Sequence, residues 1–485
     1  MSTDPVAHTP TDGSASPDGG AVPSVGRPSA SAPTAVYWLE HAWLGDRVAS
    51  GVLLSVAGDR VTRLRTGVAS APSGALSLPG LTLPGLANAH SHAFHRALRA
   101  VAQAAPEGAP TGDAPDSFWT WREVMYGIAS RLTPDSYYRL ARAVYAEMAL
   151  AGITSVGEFH YLHHAPGGAP YADPNAMGHA LIAAADEAGL RLTLLDTAYL
   201  SAGFGAPPGE VQRRFSDGDA DSWAMRAGAL KDGERLRIGA AAHSVRAVPA
   251  EHLGTVAEFA GRRGAPLHVH LSEQPAENEA CAAAYGVTPT RLLADRGFLG
   301  AATTGVHNTH LTEADIALLG TTGTGTCMCP TTERDLADGI GPAVALDRAG
   351  SPLSLGSDSH AVIDLLEEAR ALELNERLRT GARGHWTADR LLSAATAVGH
   401  RSLGWPDAGH LAPGALADFT TVTLASVRTA GAGPGHGAEN AVFAATAADV
   451  THTVVGGRVV VREGEHTTVP DVPGALATAL AELRD

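Results

Sequence analysis

Read for hydrophobic periodicity, the chain divides into a long centre and two shorter ends. From about Leu81 to Gly404, short apolar runs alternate with longer stretches whose apolar residues recur at helical spacing. The runs are Ile153–Phe159, Arg191–Ala198, Leu236–His243, Pro266–Leu271, Gly305–His310, Gly325–Cys329 and Pro352–Gly356. Amphipathic stretches such as Pro134–Ala151, Pro174–Gly189 and Asp364–Arg379 lie between them. Alternation sustained over that length predicts a parallel α/β architecture. The ends read differently. Ala35–Val48 and Val52–Arg65, and again Leu416–Val422 and Val450–Arg462, are strands broken by turns, with Gly456–Gly457 as a hairpin turn. Two β-rich ends around one centre predict termini that meet in a small β-domain. The expected division is a tail at 1–34, a first β part at 35–80, a barrel at 81–404, and a second β part with a C-terminal helix at 405–485.

A length of 485 residues accommodates a (β/α)8 barrel with a satellite domain. The first thirty-odd residues are Ser, Pro, Ala and Gly with scattered Asp, and have neither a basic nor an apolar segment. They read as a disordered tail rather than a secretory signal. Gln103–Asp116, rich in Ala, Pro and Gly, reads as a surface loop or lid.

Charge and cysteine usage narrow the function classes. A formal charge of −16 argues against nucleic acid as a partner, which would call for a basic face. No apolar run reaches membrane-spanning length, so no membrane partner is expected. Cys281, Cys327 and Cys329 are too few and too oddly numbered for a disulfide framework, which places the chain in a reducing, cytoplasmic compartment. Cys327 and Cys329 are two apart, and on a strand they would share one buried face.

The chemistry lies where polar residues end the apolar runs. Leu83–His92 ends in His90-Ser-His92, Pro266–Glu273 in His270 followed by Glu273, Gly305–His310 passes through His307, and Leu353–Asp358 ends in Asp358. In a (β/α)8 barrel the C-terminal strand ends converge on one mouth. Alternate residues on a strand share a face, so His90 and His92 can address one ion. A single buried histidine is ordinarily a core residue; four metal-capable groups at successive strand ends are a metal site. His90, His92, His270 and Asp358 offer three nitrogens and one oxygen, a donor set that suits Zn²⁺ with a position left for water, and that iron or manganese could also use.

These motifs, in this order, resemble the amidohydrolase superfamily over about Val36 to Val461. The resemblance implies a (β/α)8 metallo-barrel, a β-sandwich built from both termini, and a homodimer. Two-metal members bridge their ions with a carboxylated lysine on the fourth barrel strand, which here reads Leu236–His243 without one; Lys231 precedes it. One metal per chain is therefore expected. Zinc lowers the pKa of a bound water from about 15.7 towards 7. Asp358 would hold or accept a proton, His307 would take the water's proton or polarise the attacked group, and Glu273 would protonate the leaving nitrogen.

Substrate recognition is expected from Arg122, Arg246, Tyr161, His243 and His95. Two arginines at one mouth suit a small dicarboxylate; Arg96 is expected to pair with local acids. The segments His90–Arg96, Phe118–Glu123, His243–Arg246 and Cys329–Gly339 resemble the formimidoylglutamate deiminases, with His95 where that family has glutamine. This implies hydrolysis of N-formimino-L-glutamate to N-formyl-L-glutamate and ammonia, a step of histidine degradation. The competing readings are a guanine or modified-adenosine deaminase, disfavoured by the 5% aromatic content, and a metal-binding scaffold without activity.

Overall fold

A computed structural model of the protein describes residues 35–103 and 118–483. The tail expected at 1–34 and nearly all of the loop expected at Gln103–Asp116 lie outside them. The chain opens with β1 (Ala35–Trp43), β2 (Val48–Ala57), β3 (Arg60–Arg65) and β4 (Leu76–Pro84). Eight strands follow: β5 (Leu86–Ser91), β6 (Ile153–His160), β7 (Arg191–Ala198), β8 (Leu236–Ala242), β9 (Leu267–Leu271), β10 (Thr303–His307), β11 (Gly325–Met328) and β12 (Leu353–Leu355). The chain closes with β13 (Phe419–Val422), β14 (Val450–Val455), β15 (Arg458–Arg462), β16 (Glu465–His466) and a helix at Val472–Ala481.

β5 to β12 pair in chain order, each parallel to the next, as a (β/α)8 barrel requires. The ring is joined across its seam by a bridge between Ser91 and Asp358, with the Asp358 N–H donating to His90 O at 3.0 Å. Gly356 makes that seam possible: a Cβ there would stand 2.8 Å from the His90 Cβ and 2.9 Å from its carbonyl oxygen. β6 and β7 are buried at every position, which is why they read as unbroken apolar runs rather than alternating ones.

The remaining strands form a second sheet, ordered β16-β15-β14-β13-β4-β1-β2-β3, with Gly456–Gly457 turning the β14–β15 hairpin. Its pairs are antiparallel except β1 with β4. The apolar run through Leu83 is divided between the two sheets, since β4 belongs to the terminal sheet and the barrel begins at Leu86. The crossing is at Gly85, where a Cβ would stand 2.1 Å from the Thr154 hydroxyl. A buried ion pair ties the two sheets: Arg191, opening β7, donates through Nε and Nη2 to Asp418, just before β13, at 2.6 and 3.2 Å.

Two helices carry or support the mouth. α1 (Phe118–Arg131) turns Phe118, Trp121 and Met125 inward. α2 (Pro134–Leu150) starts at a capping box, Thr133 with Ser136, with proline at its first position. Among the described residues no helix is long and apolar enough to cross a membrane.

Candidate active site

Among the described residues, His90, His270, His307 and Asp358 each bring one ligand atom within 4.8 Å of one another, and His92, His95 and Asp358 do the same. The His90 and His270 Nε2 atoms are 3.0 Å apart, and Asp358 Oδ1 lies 3.1 Å from His90 Nε2 and 3.3 Å from His92 Nε2. The ring protons can be assigned from the neighbours. His92 Nδ1 donates to Phe159 O at 3.0 Å and His270 Nδ1 to His243 O at 2.9 Å; burial keeps the His270 ring neutral, so its Nε2 carries the lone pair. Burial pushes His90 down to about 3 against the pull of Asp358, so it too is neutral at pH 7. Imidazole nitrogens gathered around one buried carboxylate oxygen are a donor set that fits a divalent metal. His307 stands on the far side of the carboxylate, with Nε2 3.8 Å from Asp358 Oδ2. The sequence's one lysine, Lys231, is exposed and precedes β8, so that strand supplies no bridging carbamate.

The backbone is bent to make this arrangement. Ser272 (φ 52°), His307 (69°), Asn308 (54°), Asp358 (41°) and His360 (58°) all adopt left-handed conformations at the barrel mouth. Non-glycine residues there store strain, and such residues gather at functional sites. The surroundings hold them in place. Asn308 donates from Nδ2 to Thr326 Oγ1 at 2.8 Å and from its backbone N–H to Leu271 O at 3.0 Å. The strand read from sequence as Gly305–His310 consequently stops at His307.

Behind these residues, beside the expected Glu273, lie three acids the sequence reading did not single out: Glu333, Asp338 and Glu158. His307 Nδ1 faces Glu333 Oε1 at 3.5 Å, and its Nε2 faces Glu273 Oε1 at 3.8 Å. Glu273, His307 and Asp338 bring one polar atom each within 4.8 Å of one another. Burial disfavours a charged His307, but Glu273, Glu333 and Asp358 outweigh it and hold the imidazole protonated. Burial raises Glu273 to about 7 against the attraction of His307; burial and the charge of Glu273 raise Asp338 to about 8. Glu158, in β6, accepts from Ser91 Oγ at 2.8 Å and the Ala93 N–H at 2.7 Å, and so fixes the strand end that carries His90 and His92. Glu333 and Asp338 fall within Cys329–Gly339, so their motif was visible although their roles were not.

A cavity opens in front of this cluster. Arg122, Tyr161, His243, Arg246 and His95 all line it, as expected. His95 Nε2 is 3.1 Å from the Tyr161 hydroxyl. Arg96 points elsewhere and pairs with Glu147 at 2.8 Å. The two arginines differ in kind. Arg246 Nε lies 3.6 Å from Glu277 Oε2. Arg122 lies over the Trp119 and Tyr126 rings, 4.5 and 5.6 Å from their centroids, and among the described residues has no carboxylate partner.

Sequence composition misjudged the rest of the wall. Phe118, Trp121, Tyr126 and Tyr199 join Tyr161 there, so the cavity is aromatic although the chain as a whole is not. Whole-chain averages cannot report on a surface this small, and the low aromatic content carries no argument against a ring-shaped substrate. A second histidine cluster, His160 and His163 with Asp196, lies deeper. Arg226 donates to both Asp196 oxygens at 2.9 Å, so a guanidinium already occupies the place a metal would take.

Converging neutral imidazoles, a carboxylate and proton-carrying groups at the C-terminal mouth of a (β/α)8 barrel define a barrel hydrolase built for a divalent metal. The chain belongs to the amidohydrolase family, whose model matches residues 81–460 and whose members use such an ion. It is 37% identical over 456 residues to formimidoylglutamate deiminase of Pseudomonas aeruginosa, covering 92% of this chain and 99% of that protein. It is 33% identical to 8-oxoguanine deaminase of the same organism, over 78% of this chain and 81% of the other. The structure of an amidohydrolase from Brucella melitensis superposes with a TM-score of 0.84 at 33% identity, over 93% of this chain and all of that one. An adenosine deaminase from Xanthomonas campestris, solved with bound zinc, shares the fold with a TM-score of 0.79 at 24% identity, covering 93% and 97% of the two chains.

Proposed function

We propose that the protein hydrolyses N-formimino-L-glutamate to N-formyl-L-glutamate and ammonia, as a step of histidine degradation. The observation that carries this reading is the pair of guanidinium groups on the cavity wall, Arg122 and Arg246, facing the histidine and acid cluster. A substrate with two carboxylates and an amidine fits that polarity, and the 37% identity to a formimidoylglutamate deiminase agrees with it.

His90, His92, His270 and Asp358 would hold one zinc ion per chain; iron or manganese would suit the same donors. When bound, the ion supplies a water acidic enough to attack at neutral pH. The chain's own residues do the rest. Arg122 and Arg246 orient the substrate by its carboxylates, which leaves the amidine carbon at the reaction end. Tyr161, His243 and His95 add hydrogen bonds along the cavity. Asp358 takes and holds the proton of the attacking water, and His307, already protonated, polarises the attacked group. Glu273, poised near neutrality by burial, delivers a proton to the departing nitrogen so that it leaves as ammonia. The enzyme would work in the cytoplasm as a homodimer.

A second reading is a purine-type deaminase, favoured by the aromatic wall and by the relative that acts on 8-oxoguanine. Ammonia release from formiminoglutamate, 8-oxoguanine and methylthioadenosine, measured on enzyme of known metal content, separates the two. Turnover confined to a purine would replace the first reading by the second.

A further inference from the structure

Gln212 sits in the single turn Val211–Arg214, behind the arginine wall, and is buried. Its side-chain amide is fully used. The Gly209 N–H donates to Oε1 at 2.8 Å, while Nε2 donates to the Tyr199 hydroxyl at 2.7 Å and the Tyr126 hydroxyl at 3.1 Å. The bond from Gly209 fixes the amide's orientation, because a backbone N–H can only donate. The NH2 group therefore faces the tyrosines. Each phenol oxygen accepts from Gln212 and keeps its own proton for another partner.

The two hydroxyls are 3.4 Å apart, so one can donate to the other, but they cannot both do so at once. At least one O–H is left for the cavity, which both rings line together with Arg122 and Arg246. Arg214 anchors the turn. It donates to His164 O at 2.9 Å, to Leu132 O at 2.6 Å and to Ala129 O, and so ties the turn to the C-terminal end of α1. Because α1 also carries Arg122 and Tyr126, one short turn aligns donors on both sides of the cavity.

We propose that Tyr126 and Tyr199 form, with Arg122 and Arg246, a subsite that reads a carboxylate of the substrate, and that Gln212 is the positioning residue that makes the tyrosines donors. The inference rests on the dicarboxylate reading above and names two ligand-binding residues and one supporting residue that the reading does not need. A carboxylate only accepts hydrogen bonds, so an array of guanidinium and hydroxyl donors favours it over an amide or a neutral ring.

The test uses the metal-loaded enzyme, with glutarate as a probe that has both carboxylates and no amidine. Tyr199→Phe and Tyr126→Phe keep ring and packing and remove only the hydroxyl. Each should weaken glutarate binding, measured by calorimetry, and raise KM for formiminoglutamate by about tenfold, the loss of one hydrogen bond to a charged group. kcat should stay within about twofold, since neither hydroxyl touches the reacting atoms. Gln212→Glu turns the amide donor into an acceptor for both hydroxyls and should weaken glutarate binding more than Gln212→Leu. A role confined to packing would give the reverse order. A Tyr126→Phe/Tyr199→Phe enzyme that binds glutarate and turns over formiminoglutamate like the wild type overturns the subsite and leaves the proposed reaction standing. Wild-type enzyme that binds glutarate through the tyrosines but releases no ammonia from formiminoglutamate overturns the reaction and leaves the subsite. Wild-type enzyme that does neither overturns both.

Discussion

At one end of the cavity His307 stands among Glu273, Glu333, Asp338 and Asp358; at the other, Arg122 and Arg246 stand among Phe118, Trp121, Tyr126 and Tyr199. The first end is built on barrel strand ends and the loops that follow them, with five left-handed non-glycine residues held by backbone hydrogen bonds. The second is built on α1, on Tyr199 and Arg246 beyond β7 and β8, and on a buttressing turn, with cation–π contacts and a partly neutralised arginine. The contrast teaches a division of labour. The groups that meet around the histidines sit at barrel strand ends, while the groups that present charge to the substrate sit on helix and loop. Damage to the first end should appear in metal content and kcat; damage to the second should appear in kcat/KM and depend on the substrate's charge.

The largest expected effect tests the first end. His92→Ala should lose metal and activity together, with kcat falling by more than about 10⁴-fold, beyond what a general acid alone contributes. Chelation of the wild-type enzyme should do the same, and added zinc should restore it. Activity that survives in a variant without metal would sink the metal-hydrolase reading.

Next comes Glu273→Gln, which keeps size and hydrogen bonding but cannot transfer a proton. Metal content should stay at the wild-type level while kcat falls by about 10² to 10⁴. A near-normal kcat would mean that another group, such as the buried Asp338 whose carboxylate lies within 4.8 Å of that of Glu273, serves the leaving nitrogen.

Arg122→Met tests the second end. A charge-assisted hydrogen bond is worth roughly 1.5–3 kcal/mol, so kcat/KM for the dicarboxylate should drop by about one to two orders of magnitude. An analogue lacking one carboxylate should be affected less, and lysine should rescue only in part because an ammonium lacks the bidentate fork. Equal losses on both substrates would show that the arginine does not read charge.

The smallest catalytic effect is expected at Arg246, whose charge Glu277 already shares. Arg246→Met should lower kcat/KM by about two- to tenfold, the worth of an ordinary hydrogen bond. It should also lower the melting temperature, because it leaves the Glu277 carboxylate buried without its partner. Arg122→Met should leave the melting temperature unchanged. If the two variants lose stability alike, the distinction between an arginine paired with a buried acid and one stacked on aromatic rings falls.

How much of this was legible in the sequence depended on the distance over which each signal acts. His90-Ser-His92, His270 with Glu273, and Asp358 were legible because each lies at the end of an apolar run, and the strand's own periodicity says which way alternate side chains face. Tyr199 and Gln212 were not, since no local pattern says that a tyrosine after β7 and a glutamine thirteen residues later share a hydrogen bond. Composition misled where it averaged over the chain: aromatic residues are scarce overall and concentrated in the cavity.

By itself the sequence determined the parallel barrel, the pairing of both termini in one sheet, and the strand-end donors, because periodicity and turn chemistry are encoded within a few neighbouring residues. Only the tertiary structure decided that Glu333 and Asp338, in and just beyond the short helix Pro330–Asp335 after β11, come to flank His307, that Arg246 is paired while Arg122 has no carboxylate partner among the described residues, and that one buried amide orients two tyrosines. Those outcomes depend on which strand ends lie side by side around the ring, a matter of closure geometry and long-range packing that no short stretch of sequence contains.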